Sequence, residues 1–455
     1  MIAQEHLKAI RRVPGATIVG IADPSELVLQ TTAEKWGIEE ALTDPRALLE
    51  KTKPEVVHVA TPPDTHEALT RLALEAGCHV YVEKPITLRA PETEEVLRLA
   101  QDKGLMVCVG YMHNFDRAVL EAQDLVKQGV IGNICGIESY YGFDLGESPK
   151  SRYYTQAYTT WAYGLPGGLF QNGLDHPLSV IMPFLDEPTF IQAAAADVGV
   201  MPKDVPGELR ILLGDGHRLA SVTLSEAASP RFHYVNLLGS KGTLQVDLQN
   251  KRVMKWGHKP GIPHFVTRFG MNLNQGFRTL TGTAGTVGSV LRGRFTPYEG
   301  MQRLVPEFYK AIETGGANPM PTEYAVRIMR IMDRVWEQID TQLAPARRIR
   351  TERRLPRLVE PRPGARKVLV TGATGFIGRR LTNELLDAGD DVRILARDLR
   401  KAEPLRARGA DVVVGNLMDP DSFARAVEGV EVIYHLGATM GGQWADFVQG
   451  TIRGT

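Results

Sequence analysis

The stretch VTGATGFIG, residues 370–378, decides how this chain must be divided. Gly372, Gly375 and Gly378 lie between the apolar run KVLV and an amphipathic segment, so a strand turns there into a helix. Glycines at that spacing let backbone N–H groups and the helix dipole meet a pyrophosphate, with Phe376 and Ile377 leading into the helix. Three more strand-like runs follow, in DVRILAR, DVVVGN and VEVIYHLGA, with helical segments between them. Residues 367–455 therefore read as a βαβ series that binds a dinucleotide. That leaves most of the chain to be explained upstream.

Immediately before this unit, residues 344–366 are dense in arginine and carry four prolines. They read as an extended, solvated linker. A nucleic-acid tether would need interleaved aromatics, which are absent. The whole chain of 455 residues is too long for one ordinary core, so two or three domains are expected. Hydrophobic content of 43% and charged content of 23% are those of a soluble globular protein. Lysine plus arginine equal aspartate plus glutamate at 53 each, which gives no global pull toward nucleic acid or membrane. Cys78, Cys108 and Cys135 are far apart and form no metal or redox spacing, so no metal site is expected. With no signal peptide and no spanning apolar run, a cytoplasmic location is expected.

Residues 1–112 alternate apolar runs with helical segments: ATIVGIAD (16–23), VVHVATPP (56–63), HVYVEKP (79–85) and MVCVGY (106–111). Such alternation predicts parallel strands in a doubly wound sheet. In DTHEALTRLALEAG, Asp64 is expected to cap a helix, Glu67 to complete a capping box and Gly77 to stop it. Residues 113–343 have a different texture. GELRILLGDGHRLASVTLSE predicts a hairpin turning at Gly214-Asp215-Gly216, and YVNLLGSKGTLQVDL one turning near Lys241-Gly242. An α+β domain with a mainly antiparallel sheet is expected. Residues 256–300 carry no assignable pattern. Ala325, Ile328, Met329, Met332, Val335 and Trp336 repeat at helical spacing and predict a core stripe.

Residues 367–455 resemble the extended short-chain dehydrogenase/reductases of the epimerase/dehydratase branch. That likeness puts Arg397 at the end of the second strand, where an arginine suits the 2′-phosphate of NADP. It also places Asn416 and Leu417 near the adenine, and Gly437-Ala438 at the cofactor backbone. The family's Tyr-x-x-x-Lys does not occur before the chain stops at TIRGT, so the unit is expected to be C-terminally truncated.

Three signatures converge upstream. Thr61-Pro62-Pro63 closes one strand and His66 opens the next helix; Glu83-Lys84-Pro85 closes the following strand; and in PGGLFQNGLDHP, Asn172 and His176 are four apart, on one face of a helix. Open α/β sheets bind ligands at such strand ends. Together with Gly110-Tyr111, this order resembles the glucose–fructose oxidoreductase/inositol dehydrogenase family (Gfo/Idh/MocA), over about residues 1–340. The resemblance implies oxidation of a sugar or polyol hydroxyl with a nicotinamide, Lys84 as acid/base, and His176 as its partner at the hydroxyl. It also implies a homo-oligomer formed through the antiparallel sheet. Many members carry aspartate where this chain has Asn172, and an amide cannot take the hydroxyl's proton. More of the acid/base role then falls on Lys84 and His176. Asp23 falls where an acidic residue binds ribose hydroxyls, which favours NAD, and Thr61, Pro62, His66 and Glu83 are expected to line the cofactor cleft.

The family's first strand and glycine loop would precede a helix like MIAQEHLKAI, so the chain is expected to begin in mid-motif and to be catalytically silent or nearly so as it stands. Two other functions fit the same residues. One is an NADP-dependent epimerase, dehydratase or reductase activity of the C-terminal unit. The other is a non-catalytic dinucleotide-binding scaffold, favoured by Asn172.

Overall fold

The computed structural model describes residues 2–143, 161–201, 205–257, 298–344 and 360–437, Met418 apart, with isolated residues between 258 and 296. The chain divides into two compact units, Met1–Gly20 with Pro45–Arg350 and Ile21–Asp44 with Thr351–Thr455. Most of residues 256–300 and of the linker, and the chain from Ala438 onward, lie outside the described residues.

β1 (Ile21–Ala22) and β2 (Ala41–Leu42) form a two-stranded parallel sheet in the second unit. The strand expected over 16–23 is thus reduced to two residues, because residues 16–20 have no ladder partner among the described residues. A β-branched run becomes a strand only where a neighbour takes up its N–H and C=O groups.

In the first unit β3 (Val56–Val59), β4 (His79–Val82) and β5 (Val107–Val109) make a parallel sheet in that order. Val80, Tyr81, Val82 and Cys108 are fully buried, as expected for strands covered on both faces. The crossover helices are His66–Glu75 and Ala90–Asp102. Asp64 does not cap the first of them. Pro63–Thr65 turns as a 3₁₀ helix, Thr65 takes the cap position without a side-chain bond, and Glu67 instead pairs with Arg71 at 3.0 Å. Gly77, at φ +83°, follows the helix end as expected.

The next seven strands are β6 (Ile134–Gly142), β7 (Phe190–Ala196), β8 (Glu208–Gly214), β9 (Leu219–Ser225), β10 (Phe232–Gly239), β11 (Gly242–Asp247) and β12 (Arg252–Gly257). They form one sheet in the order β12-β11-β10-β6-β9-β8-β7, antiparallel except where β6 and β9 pair in parallel. The hairpins turn over Asp215–Arg218, two residues beyond the turn expected at Gly214-Asp215-Gly216, and at Ser240-Lys241. One face of the sheet is core: Leu209, Ile211, Leu213, Ala220, Val222, Leu224, Val235 and Leu237 are buried at alternate positions. The stripe from Ala325 to Trp336 on the helix Thr322–Gln338 is buried throughout.

In the second unit β13 (Lys367–Thr371), β14 (Asp391–Ala396), β15 (Asp411–Val414) and β16 (Val432–His435) form a parallel sheet in the order β15-β14-β13-β16. These are the four strands expected, on a core of Val368, Val370, Val392 and Ile394. No helix among the described residues is long and apolar enough to cross a membrane.

Candidate active site

Lys84 leaves the sheet at the C-terminal end of β4. The N–H of Glu83 still bonds the carbonyl of Val59 at 2.9 Å, so the ladder fixes the backbone up to the residue before it. His66 ties the neighbouring loop to this one, with Nε2 2.8 Å from the Thr61 carbonyl and Nδ1 2.6 Å from that of Pro85. Thr65 Oγ1 donates to Thr61 Oγ1 at 2.6 Å. Burial lowers the His66 pKa against the pull of the two carbonyls and Glu83. A neutral ring donates to only one of them.

Asn172 and His176 do not share one helix. Two short helices, Leu169–Gly173 and Asp175–Ser179, meet at Leu174. The break leaves helix-end carbonyls without intrahelical partners. Lys84 Nζ takes one of them, donating to the Asn172 carbonyl at 2.7 Å and to Asn172 Oδ1 at 3.1 Å. Asn172 and His176 nonetheless line one cavity of about 130 Å³ with Tyr141, Phe143, Gly173 and Glu226. The half-buried His176 ring lies 4.9 Å from Tyr141 and 5.1 Å from His113 between centroids. Burial above all, then the charge of Lys84, holds its pKa well below the usual imidazole range. At pH 7 His176 is a neutral ring, able to accept a hydroxyl's proton in a hydrogen bond.

In the second unit Gly372 has φ +69°, and a Cβ there would stand 2.6 Å from the Leu436 carbonyl. A Cβ on Gly378 would overlap the Gly372 carbonyl. Gly375 occupies the cap of the helix Phe376–Asp387, whose first side chains, Phe376 and Ile377, are exposed. The loop therefore packs backbone on backbone, leaving the helix N-terminus open to an anion. Gly437 N–H reaches Thr371 Oγ1 at 3.2 Å, and a Cβ on Gly437 would meet Leu417. Asn416 is held through its backbone by Ser422 Oγ. Arg397 is exposed at the end of β14 and makes no ion pair among the described residues. Ala438 lies outside them. Asp23, which accepts the Ser25 N–H at 2.9 Å, belongs to this second unit and not to the one that holds Lys84.

Residues 1–111 match the family described as "Oxidoreductase family, NAD-binding Rossmann fold" (Gfo/Idh/MocA), and residues 372–452 match the family described as "NAD(P)H-binding". The chain carries a Gfo/Idh/MocA oxidoreductase domain and, C-terminal to it, an NAD(P)-binding domain. The D-xylose 1-dehydrogenase (NADP(+)) 2 of Haloferax volcanii is 25% identical over 327 residues, 71% of this chain and 90% of the relative. The scyllo-inositol 2-dehydrogenase (NAD(+)) of Bacillus subtilis is 33% identical over 123 residues, 27% of this chain and 36% of the relative. Among solved structures, the myo-inositol 2-dehydrogenase of Lactobacillus plantarum shares the fold, with a TM-score of 0.58 at 16% identity over 75% of this chain and 94% of that one.

Around the Gfo/Idh/MocA signatures stand residues that no local pattern in the sequence announces. A hydrogen-bonded line runs from Tyr309 Oη to His58 Nε2 (3.2 Å), from His58 Nδ1 to His6 Nδ1 (2.8 Å) and from His6 Nε2 to Glu83 Oε1 (2.9 Å). Burial would raise Glu83, but the bond from His6 and the charges of His6, Lys84 and His66 outweigh it and hold its pKa low. Asp175 is fully buried beside Lys84 with neither carboxylate oxygen hydrogen-bonded among the described residues. Burial raises its pKa to about 7. The folded protein thus binds a proton at Asp175 that the unfolded chain releases near pH 4. The stability this group gives is full below that pH and is lost as pH rises through 7. Asp175→Asn should therefore raise the thermal midpoint relative to the unsubstituted protein, by about 5 °C or more at pH 8 and little at pH 4. Melting curves across that range check it, and a pH-independent difference would sink it.

Proposed function

We propose that the first unit oxidises a hydroxyl of a sugar or polyol, and that Lys84, Asn172 and His176 are the residues that address it. The reading rests above all on Lys84 Nζ held on Asn172 beside the same cavity that His176 lines. A nicotinamide bound at the strand ends, along Thr61, Pro62, Glu83 and Lys84, supplies the hydride acceptor. At this edge the Glu83 and Tyr81 side chains pack closely against Gly110, where a Cβ would stand 3.1 Å from Glu83 Oε1. Neutral His176 accepts the hydroxyl's hydrogen bond, Asn172 orients the hydroxyl, and Lys84 acts as the acid/base, its amine form taking the hydroxyl's proton as hydride leaves and the resulting ammonium returning it. His66 fixes the two loops so that these groups keep their spacing.

The test is to supply NAD or NADP with a panel of myo-inositol, D-xylose and D-glucose and to follow absorbance of the reduced nicotinamide. Reduction that depends on the sugar or polyol carries this reading and overturns the expectation of a silent chain. Dinucleotide binding with no reduction on any of them would instead favour a binding scaffold.

In the second unit the proposed ligand is NADP, with Arg397 on its 2′-phosphate. NADPH should bind this unit about tenfold more tightly than NADH, and Arg397→Ala should remove most of that difference. Fluorescence titration of both nucleotides decides it, since equal affinities before substitution leave Arg397 a solvated charge.

The likeness also proposes a cytoplasmic enzyme that self-associates through its sheet. Phe190, Gly214, Leu219, Gly136 and Leu238 fall in one register row across β7, β8, β9, β6 and β10, and the three large apolar members are exposed. A contiguous apolar row of that kind suits contact with a second copy. Leu219→Lys should shift the mass measured by light scattering toward the monomer.

A further inference from the structure

We infer that Glu226 binds a second hydroxyl of the substrate, next to the one that Lys84 and His176 address, so that the preferred substrate is a vicinal diol. The inference rests on the sugar or polyol reading above and adds a residue from the sheet to a site otherwise built from strand ends and helices.

Glu226 follows the last residue of β9, and its N–H still bonds the Gly207 carbonyl at 2.8 Å. The sheet therefore fixes where its side chain starts. Its residue surface is only 5% exposed, yet its carboxyl makes no hydrogen bond or ion pair among the described residues. It faces the same cavity as Asn172 and His176, and a Cβ on Gly173 would stand 3.1 Å from Oε1. A side chain at 173 would crowd the carboxyl there. A carboxyl with no protein partner takes its hydrogen bonds from whatever the cavity holds, and packing alone would favour an apolar side chain in its place. The position makes sense if a ligand supplies the partner.

The chemistry of the group narrows that ligand. Burial raises the Glu226 pKa to about 8 against the opposing charge of Lys84, so at neutral pH the group is an uncharged acid. It then offers one O–H donor and a carbonyl acceptor, the complement of a hydroxyl, which also does both. Asn172, which lines the same cavity, also carries a donor and an acceptor. The titratable groups that share the cavity wall are His176, held neutral, and Tyr141, whose phenol is pushed up to about 12. A cavity lined by neutral donors and acceptors suits an uncharged diol.

Binding can be read without turnover. The full chain, saturated with NADH, is titrated with myo-inositol, D-xylose and D-glucose by saturation-transfer NMR, and the tightest binder is carried forward. Glu226→Ala and Glu226→Leu should each weaken it about tenfold, the leucine variant guarding against a cavity that merely collapses. Glu226→Gln keeps a donor and an acceptor and should stay within about threefold. The unsubstituted protein should also prefer trans-cyclohexane-1,2-diol to cyclohexanol, and Glu226→Leu should lose that preference. If none of the three compounds binds the unsubstituted protein, the sugar or polyol reading falls and this inference falls with it. Should binding occur and be indifferent to Glu226→Leu, the inference alone is overturned. A glutamine variant as weak as the leucine one would overturn the neutral hydrogen-bonding role.

Discussion

Lys84→Ala should lower the turnover number for sugar or polyol oxidation by about 100-fold or more, since a positioned acid/base group contributes roughly 10²–10⁴. Dinucleotide affinity should change little, because the loop that carries Lys84 is held independently by the Glu83–Val59 ladder bond and by His66 on Pro85. Alanine also removes the ammonium from the Asn172 carbonyl and amide oxygens, so loss of rate could come from a displaced helix. Lys84→Arg separates the two effects. A guanidinium still donates to both oxygens but does not give up its proton at working pH. Arginine should therefore restore the melting temperature and leave turnover as low as in the alanine variant. Initial rates at saturating substrate, with nicotinamide fluorescence for binding, give both readouts. An arginine variant with normal turnover would mean that Lys84 is a structural cap on Asn172 and nothing more.

The sequence carried the parts of this site that depend on local order. Thr61, Glu83 and Lys84 were legible because a β-branched run followed by a proline ends a strand, and in a parallel sheet every such end points to one edge. The glycine loop at 372–378 was legible for the same reason, since a turn with no side chain has only a few uses between strand and helix. The spacing of Asn172 and His176 predicts one helix face. The helix in fact breaks at Leu174, and the pair still meets the same cavity because Leu174 keeps an α-helical backbone between the two short helices. Asp64 failed as a cap because the prolines before it tighten the first turn into a 3₁₀ helix. Glu226, Asp175 and the Tyr309–His58–His6–Glu83 line had no local signature at all. Each depends on burial created by distant segments, and the sequence alone cannot say that a glutamate after a strand faces inward. ATIVGIAD shows the converse: its composition is that of a strand, but only Ile21 and Ala22 find a ladder partner.

Gly378→Ala should weaken dinucleotide binding by the second unit about 10- to 100-fold, from the addition of one carbon atom. That atom would overlap the Gly372 carbonyl oxygen and crowd the Ala373 backbone, and neither can swing aside as a flexible side chain would. Gly372 cannot yield easily either, since its own left-handed φ of +69° is packed against the Leu436 carbonyl. The helix Phe376–Asp387 must then move away from the loop, at the cost of about 1–3 kcal/mol typical of overpacked sites. Moving it spreads the N–H groups that converge at its N-terminus, and with them the attraction for a pyrophosphate. Arg397→Ala makes a useful contrast. It should erase the preference for NADPH over NADH while leaving NADH affinity unchanged, whereas Gly378→Ala should depress both nucleotides together. Parallel titrations of the two variants with the two nucleotides separate recognition of the 2′-phosphate from recognition of the pyrophosphate. If Gly378→Ala binds both nucleotides normally and melts at the normal temperature, the loop is a packing device and the second unit holds its ligand elsewhere.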